Sequence, residues 1–153
     1  MDTNYAGFGK RFVAYMIDGF ILMIPFMLLG FLAGSMLDPA TILSGTASLA
    51  GIGLFYLGLF IISMGYFVYF ESSEKQATPG KSMMNIKVTD TNGNRLSVGK
   101  ALLRNLMKIV SGIIFYIGFI MAAFTKKKQA LHDMAADAVL LDVATRKELN
   151  TTV

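Results

Sequence analysis

A chain of 153 residues is long enough for one domain. Only 16% of its residues are charged and 54% are apolar, where a soluble domain carries about 25% charge, so the composition is that of a membrane protein. There is no Cys, which excludes disulfides, thiolate metal ligands and thiol nucleophiles, and the net charge of +4 sits on basic residues flanking apolar runs, which points to membrane orientation and away from nucleic acid.

Met1–Gly9 reads as a polar interfacial lead-in, with Tyr5 and Phe8 suited to the headgroup level. A first transmembrane helix is expected over 10–34, since a bilayer core takes about 20 apolar residues. Asp18 interrupts this run, and a carboxylate at that depth costs about 2.5–3.5 kcal/mol even on the lower scales. Arg11 lies two helical turns earlier, rotated by about 700° and roughly 10.5 Å away along the axis. The two therefore form a polar stripe that should look into protein. Pro25 kinks this helix or improves its packing. Lys10, Arg11 and Ala33-Gly34-Ser35 are also compatible with a cleaved signal, but the apolar run exceeds the usual ~7–15 residues and Asp18 breaks it.

The second transmembrane helix is expected over 47–70, a stretch without any charge. Gly51, Gly58 and Gly65 fall on one face and read as a helix-packing stripe. Tyr56 is nearer mid-span and suits an interior hydrogen bond, while Tyr66 and Tyr69 suit an interfacial belt. Between the spans, Ser35–Ala47 carries only Asp38. By the positive-inside rule this connection faces out, and the N-terminus and Glu71–Arg104 face the cytoplasm.

Glu71–Lys81 is polar and ends in the turn Thr78-Pro79-Gly80-Lys81, which lacks the spacing of a phosphate loop. Residues 84–96 read as a cytoplasmic β/turn element, with alternation over Met84–Thr89 and a turn at Asp90–Asn94. Ser97 is a candidate N-cap for an amphipathic helix from Val98. Leu102, Leu103, Leu106, Ile109 and Val110 lie on one side of that helix. Lys100, Arg104 and Lys108 lie on the other, where they are expected to contact lipid phosphate.

Residues 98–126 continue into a third apolar stretch, 109–125. A plain crossing would put Lys126, Lys127, Lys128, Arg146 and Lys147 outside. It would also separate the strand at 138–143 from its natural partner, Asn85–Thr89. A re-entrant path is preferred, and a third crossing stays open. His132, Asp133 and Asp137 have generic spacing, so no metal site is expected. Asp133 should pair with a basic residue, and Asp137 should cap or face solvent. These elements describe an all-α membrane protein, one domain over 1–153. It has two full transmembrane helices, an amphipathic helix, a re-entrant or third transmembrane segment and a small cytoplasmic two-stranded β element.

The motifs resemble the RDD family of small bacterial membrane proteins, named for one Arg and two Asp. Arg11 and Asp18 match the Arg and the first Asp in the run from Gly7 to Gly19. Thr78-Pro79-Gly80-Lys81 matches part of a Gly-x-Thr-Pro-Gly-Lys segment, with Gln76 in place of the first Gly. Gln129, His132, Asp133 and Ala136 match Gln-x-x-His-Asp-x-x-Ala, and Asp133 is the second Asp. Arg104-Asn105 and Val88–Gly93 also resemble family positions. Asp137 stands where the family usually has Gly.

The resemblance implies transport of an unknown ligand, and for some members sodium/proton antiport. On that reading Asp18 and Asp133 are candidate ion- or proton-binding residues, with Arg11 tuning Asp18. An intramembrane acid suits such a role. No internal repeat of the kind secondary transporters use is present, so a homo-oligomer would be required. The alternative is a structural or accessory membrane protein, with Arg11, Asp18, Arg104, His132 and Asp133 as a charge network that fixes helix packing. An enzyme is the weakest reading, because no nucleophile or metal set accompanies His132–Asp133. The expected partners are membrane lipid, a second copy of the chain, and a sodium ion or proton. No cofactor and no nucleic acid is expected. The expected location is the bacterial cytoplasmic membrane, multi-pass, with the N-terminus in the cytoplasm.

Overall fold

The computed structural model describes residues 4–35, 40, 49–113 and 124–144. Its elements are α1 (Phe8–Ser35), α2 (Leu49–Ser72), α3 (Pro79–Met83), β1 (Ile86–Asp90), α4 (Val98–Ile113), α5 (Leu131–Ala135) and β2 (Ala138–Asp142). Phe8–Ser35 and Gly51–Ser72 are each long and apolar enough to cross a membrane. Their large apolar side chains are mostly left uncovered, Phe31 to 73%. Contiguous exposure on that scale is unfavourable in water and is what a lipid-facing helix presents. Pro25 lies inside α1. Helix α2 runs past the expected end at residue 70 and so carries Glu71 on its last turn.

The two strands pair antiparallel, from Ile86 opposite Asp142 to Asp90 opposite Ala138, as the alternating runs led us to expect. The turn after β1 closes because the Asp90 carboxylate accepts from the Asn92 and Asn94 amides at 2.9 and 2.7 Å. Gly93 there takes a φ of 85°, which glycine adopts without steric cost. The lead-in is tied to the sheet: Tyr5 bridges Leu141, and Ala6 donates its amide to the Leu140 carbonyl at 2.8 Å. A small core of Ala6, Ala14, Ile86, Val88, Leu96, Ala136, Ala138 and Leu140 joins this lead-in, the foot of α1 and the sheet.

Both positions where the chain departs from the glycines of the RDD pattern have left-handed backbone, Gln76 at φ 53° and Asp137 at φ 51°. Asp tolerates this region better than most residues. The Asp137 side chain is also held there, accepting from Thr91 Oγ1 at 2.8 Å.

Helix α4 begins where Ser97 Oγ accepts from the Lys100 amide at 3.3 Å. Its basic side is turned onto protein and not toward headgroups. Leu102, Leu103, Leu106, Ile109 and Val110 are exposed, while Ala101, Arg104 and Asn105 are buried. The expected lipid-phosphate role fails for Arg104, which is only 2% exposed, because two acids lie beneath α4 and draw its polar side inward. Lys108 is turned in with it, and the exposed Lys100 meets Asp137 at 3.4 Å. Of the stretch expected to re-enter or cross, 109–125, the start continues α4 as helix to Ile113, and residues 114–123 lie outside the described residues.

The glycines of α2 do not share one contact within the chain. The Cβ position of Gly58 lies 3.2 Å from Leu29 of α1, whereas that of Gly65 faces open space among the described residues.

Candidate functional site: a buried charge cluster at the ends of the spanning helices

Asp18 is fully buried, and three donors from later in the chain converge on it. Tyr66 Oη donates to Oδ1 at 2.9 Å, the Gly80 amide donates to Oδ1 at 2.8 Å, and Thr78 Oγ1 donates to Oδ2 at 2.5 Å. Thr78 is also the N-cap of α3, accepting from the Lys81 amide at 3.3 Å, and Pro79 follows it at the first turn, where the missing N–H of proline costs nothing. The Thr-Pro-Gly sequence therefore docks a helix start on the carboxylate. Glycine is required at position 80, since a Cβ there would sit 2.2 Å from the Ala14 carbonyl oxygen and 2.8 Å from Asp18 Oδ1.

Asp133, on α5, is the second buried acid. Its Oδ2 accepts from Arg11 Nη1 at 2.7 Å and from the Ala130 amide at 3.1 Å, and its Oδ1 accepts from Arg104 Nε at 2.7 Å. Arg11 does not pair with Asp18. A helix places the two on one side but well apart along the axis, and Arg11 finds its carboxylate on an element from the far end of the sequence.

Glu71 is the third buried acid, and the sequence reading missed it. Lys81 Nζ contacts Oε1, with Lys108 Nζ at 3.5 Å from the same oxygen. Asn105 Nδ2 donates to Oε2 at 3.1 Å. Arg104 Nη1 lies 2.6 Å from Oε2, a charge contact whose angle is not that of a hydrogen bond. Arg104 thus ties Glu71 to Asp133 and α2 to α5. The ring of Phe67 lies below both lysines, 5.8 Å from Lys81 Nζ and 4.3 Å from Lys108 Nζ, where its π face attracts cations.

Burial works against the Asp133 carboxylate, but Arg104, then His132 and Arg11, outweigh it and hold its pKa well below the ordinary value. Burial likewise opposes the Arg104 charge, and the attraction of Glu71 and Asp133 more than offsets this and raises its pKa. Lysines fare differently. Burial lowers the Lys81 pKa against the pull of Glu71. Burial pushes the Lys108 ammonium down to about 7, with Glu71 opposing and Lys81 and Arg104 adding to the fall. The imidazole of His132, with Ser111 Oγ at 3.4 Å from Nδ1, is pushed down to about 3 by burial against the pull of Asp133, and it stays neutral.

Of the network residues expected from sequence, the structure brings Arg11, Arg104, His132 and Asp133 into one cluster. Asp18 sits in a neighbouring pocket of neutral donors. Tyr56, expected to point inward, is 63% exposed; Tyr66, expected at the interface, supplies the interior hydroxyl. Among the described residues, no three His, Asp or Glu side chains come together as metal ligands. The arrangement holds three carboxylates away from solvent, each with its oxygens engaged.

The family model described as RDD family matches residues 5–137, in agreement with the motif resemblance. A curated Bacillus subtilis (strain 168) protein with the name "Uncharacterized protein YxaI" is 36% identical over 140 residues, covering 84% of this chain and 91% of its own. No solved structure matches.

Proposed function

This chain belongs to the RDD family, and from that premise we propose that it is a multi-pass protein of the bacterial cytoplasmic membrane acting as a structural or accessory component. In this reading the Arg/Asp network is a latch. It fastens the small sheet domain, on the cytoplasmic side with the N-terminus, to the ends of the two spans. The observation that supports it is the state of Asp18, buried completely and accepting three hydrogen bonds from Tyr66, Thr78 and Gly80. A carrier carboxylate must exchange its ligand with water, whereas here every donor is a fixed part of the fold.

A second reading is cation or proton exchange by an oligomer, with Asp18 and Asp133 as ion-binding acids. The presence of a buried carboxylate in a spanning helix favours it. Asp18→Asn in reconstituted vesicles separates the two. The latch reading expects a lower unfolding temperature and no sodium-dependent proton flux in either protein. Flux in the wild type that vanishes in a stably folded Asp18→Asn protein would replace the latch with exchange.

A further inference from the structure

We propose that Lys108 is the group through which the buried cluster takes up and releases a proton, so that the exchanging proton of the Glu71, Lys81, Arg104 and Lys108 site is carried by Lys108 and by neither Asp18 nor Asp133. The inference rests on the charges the fold brings together and does not depend on the latch reading. Four basic side chains enter the cluster: Arg11, Lys81, Arg104 and Lys108. Three acids meet them or lie beside them: Asp18, Glu71 and Asp133. Among the described residues one cation is in excess in this largely buried cluster, and an uncompensated buried charge is costly enough that the group gives up its charge instead. His132 cannot absorb the difference, since a histidine supplies only further positive charge.

The geometry selects which cation yields. Arginine does not deprotonate in proteins, which leaves the two lysines. Lys81 makes the closest contact with Glu71 and is buried. Lys108 stands farther off, at 3.5 Å from Glu71 Oε1, and donates to the Asn105 Oδ1 at 2.6 Å. That amide oxygen can be served by a neutral amine as well as by an ammonium ion. The Lys108 side chain is also 15% exposed, which gives the leaving proton a route to water. When the ammonium gives up its charge, an Nζ–H bond breaks, water takes the proton and the electron pair stays on nitrogen as the neutral amine. The groups facing it are Glu71 and Phe67 from α2, Lys81 from α3, Arg104 and Asn105 from α4, and Asp133 with His132 from α5. Burial is the main influence that brings this lysine near neutral pH, with Lys81 and Arg104 adding to it and Glu71 and Asp133 opposing.

The test is the pH titration of the lysine Nζ signals by 15N NMR, on the full chain in phospholipid nanodiscs. The expected result is one lysine with a midpoint near 7, absent in Lys108→Gln. A full set of lysines titrating near the ordinary 10.5, or a neutral midpoint that survives Lys108→Gln, would overturn the proposal. Stability supplies a second arm should that variant fold poorly. The folded-state pKa lies below the ordinary value, so the unfolded chain holds the extra proton between about pH 7 and 10.5, and wild-type stability should rise with pH through that window. Lys108→Arg keeps its charge throughout and should show a flatter profile. An equally steep rise in the arginine variant would sink the idea.

Discussion

Asp18 and Glu71 are both fully buried carboxylates on spanning helices, yet they are stabilised by different means. Asp18 is held by two hydroxyls and a backbone amide, Glu71 by three cations and a side-chain amide. Neutral donors add no net charge, but they act only over hydrogen-bond distances and so demand close approach, which is why position 80 must be glycine. Cations reach farther and tolerate looser geometry, as the 3.5 Å contact of Lys108 shows. They also bring more charge than one acid can absorb. The first arrangement specifies shape, and the second stores a charge that pH can alter.

The largest effect should come from breaking the ionic side. Asp133→Asn leaves Arg11 and Arg104 facing a neutral amide, and removing one partner of a buried pair costs about 3–5 kcal/mol. Thermal unfolding in detergent measures it, and adding Arg11→Met should recover part of the loss. Breaking the dipolar side without touching any charge is next. Gly80→Ala meets the Ala14 carbonyl and should cost about 1–3 kcal/mol, with α3 displaced from α1 and position 81 newly open to proteolysis or labelling. Tyr66→Phe sharpens the contrast further by removing one of the three donors on Asp18. A loss of about 1 kcal/mol is expected, and a loss as large as that of Asp133→Asn would mean that Asp18 depends on one donor and not on the set. The smallest effect belongs to a pair whose cation is largely in solvent. Lys10, whose side chain is 40% exposed, contacts Asp142, and Lys10→Met should change stability by less than about 1 kcal/mol.

Sequence pattern was informative where the rule is local or compositional. The two spans follow from apolar length, the strands from alternation flanked by turn residues, and the Ser97 cap from a short side chain before an apolar periodic run. It was less informative about direction. The spacing of Lys100, Arg104 and Lys108 shows that α4 has two faces, but not which faces inward; the familiar assignment of charge to the outside reverses where acids lie within and lipid-like exposure lies without. Glu71 escaped notice because it follows a long uncharged run and reads as the start of a polar loop, whereas one more helical turn makes it the end of α2. The same-face relation of Arg11 and Asp18 suggested a pair, and the true partners come from α5 and from the Thr-Pro-Gly turn, at separations no periodicity reports. Exposure of the apolar face of α4 leaves its polar face to specify the fold.

The distances along the chain between these partners also set a schedule. Asp18 waits 60 residues for Thr78 and 62 for Gly80, and Arg11 waits 122 residues for Asp133. At synthesis rates of about 5–20 residues per second, the last interval is on the order of ten seconds. The Asp18 carboxylate lacks its donors for about the first half of that time, and the Arg11 guanidinium lacks its carboxylate until the end of it. Entry of α1 into the bilayer and closure of the cluster around it are therefore separate events. A chain halted ahead of α5 has Asp18 docked on the Thr-Pro-Gly turn but leaves Arg11 and Arg104 without Asp133, and it lacks β2, so β1 has no strand to pair with.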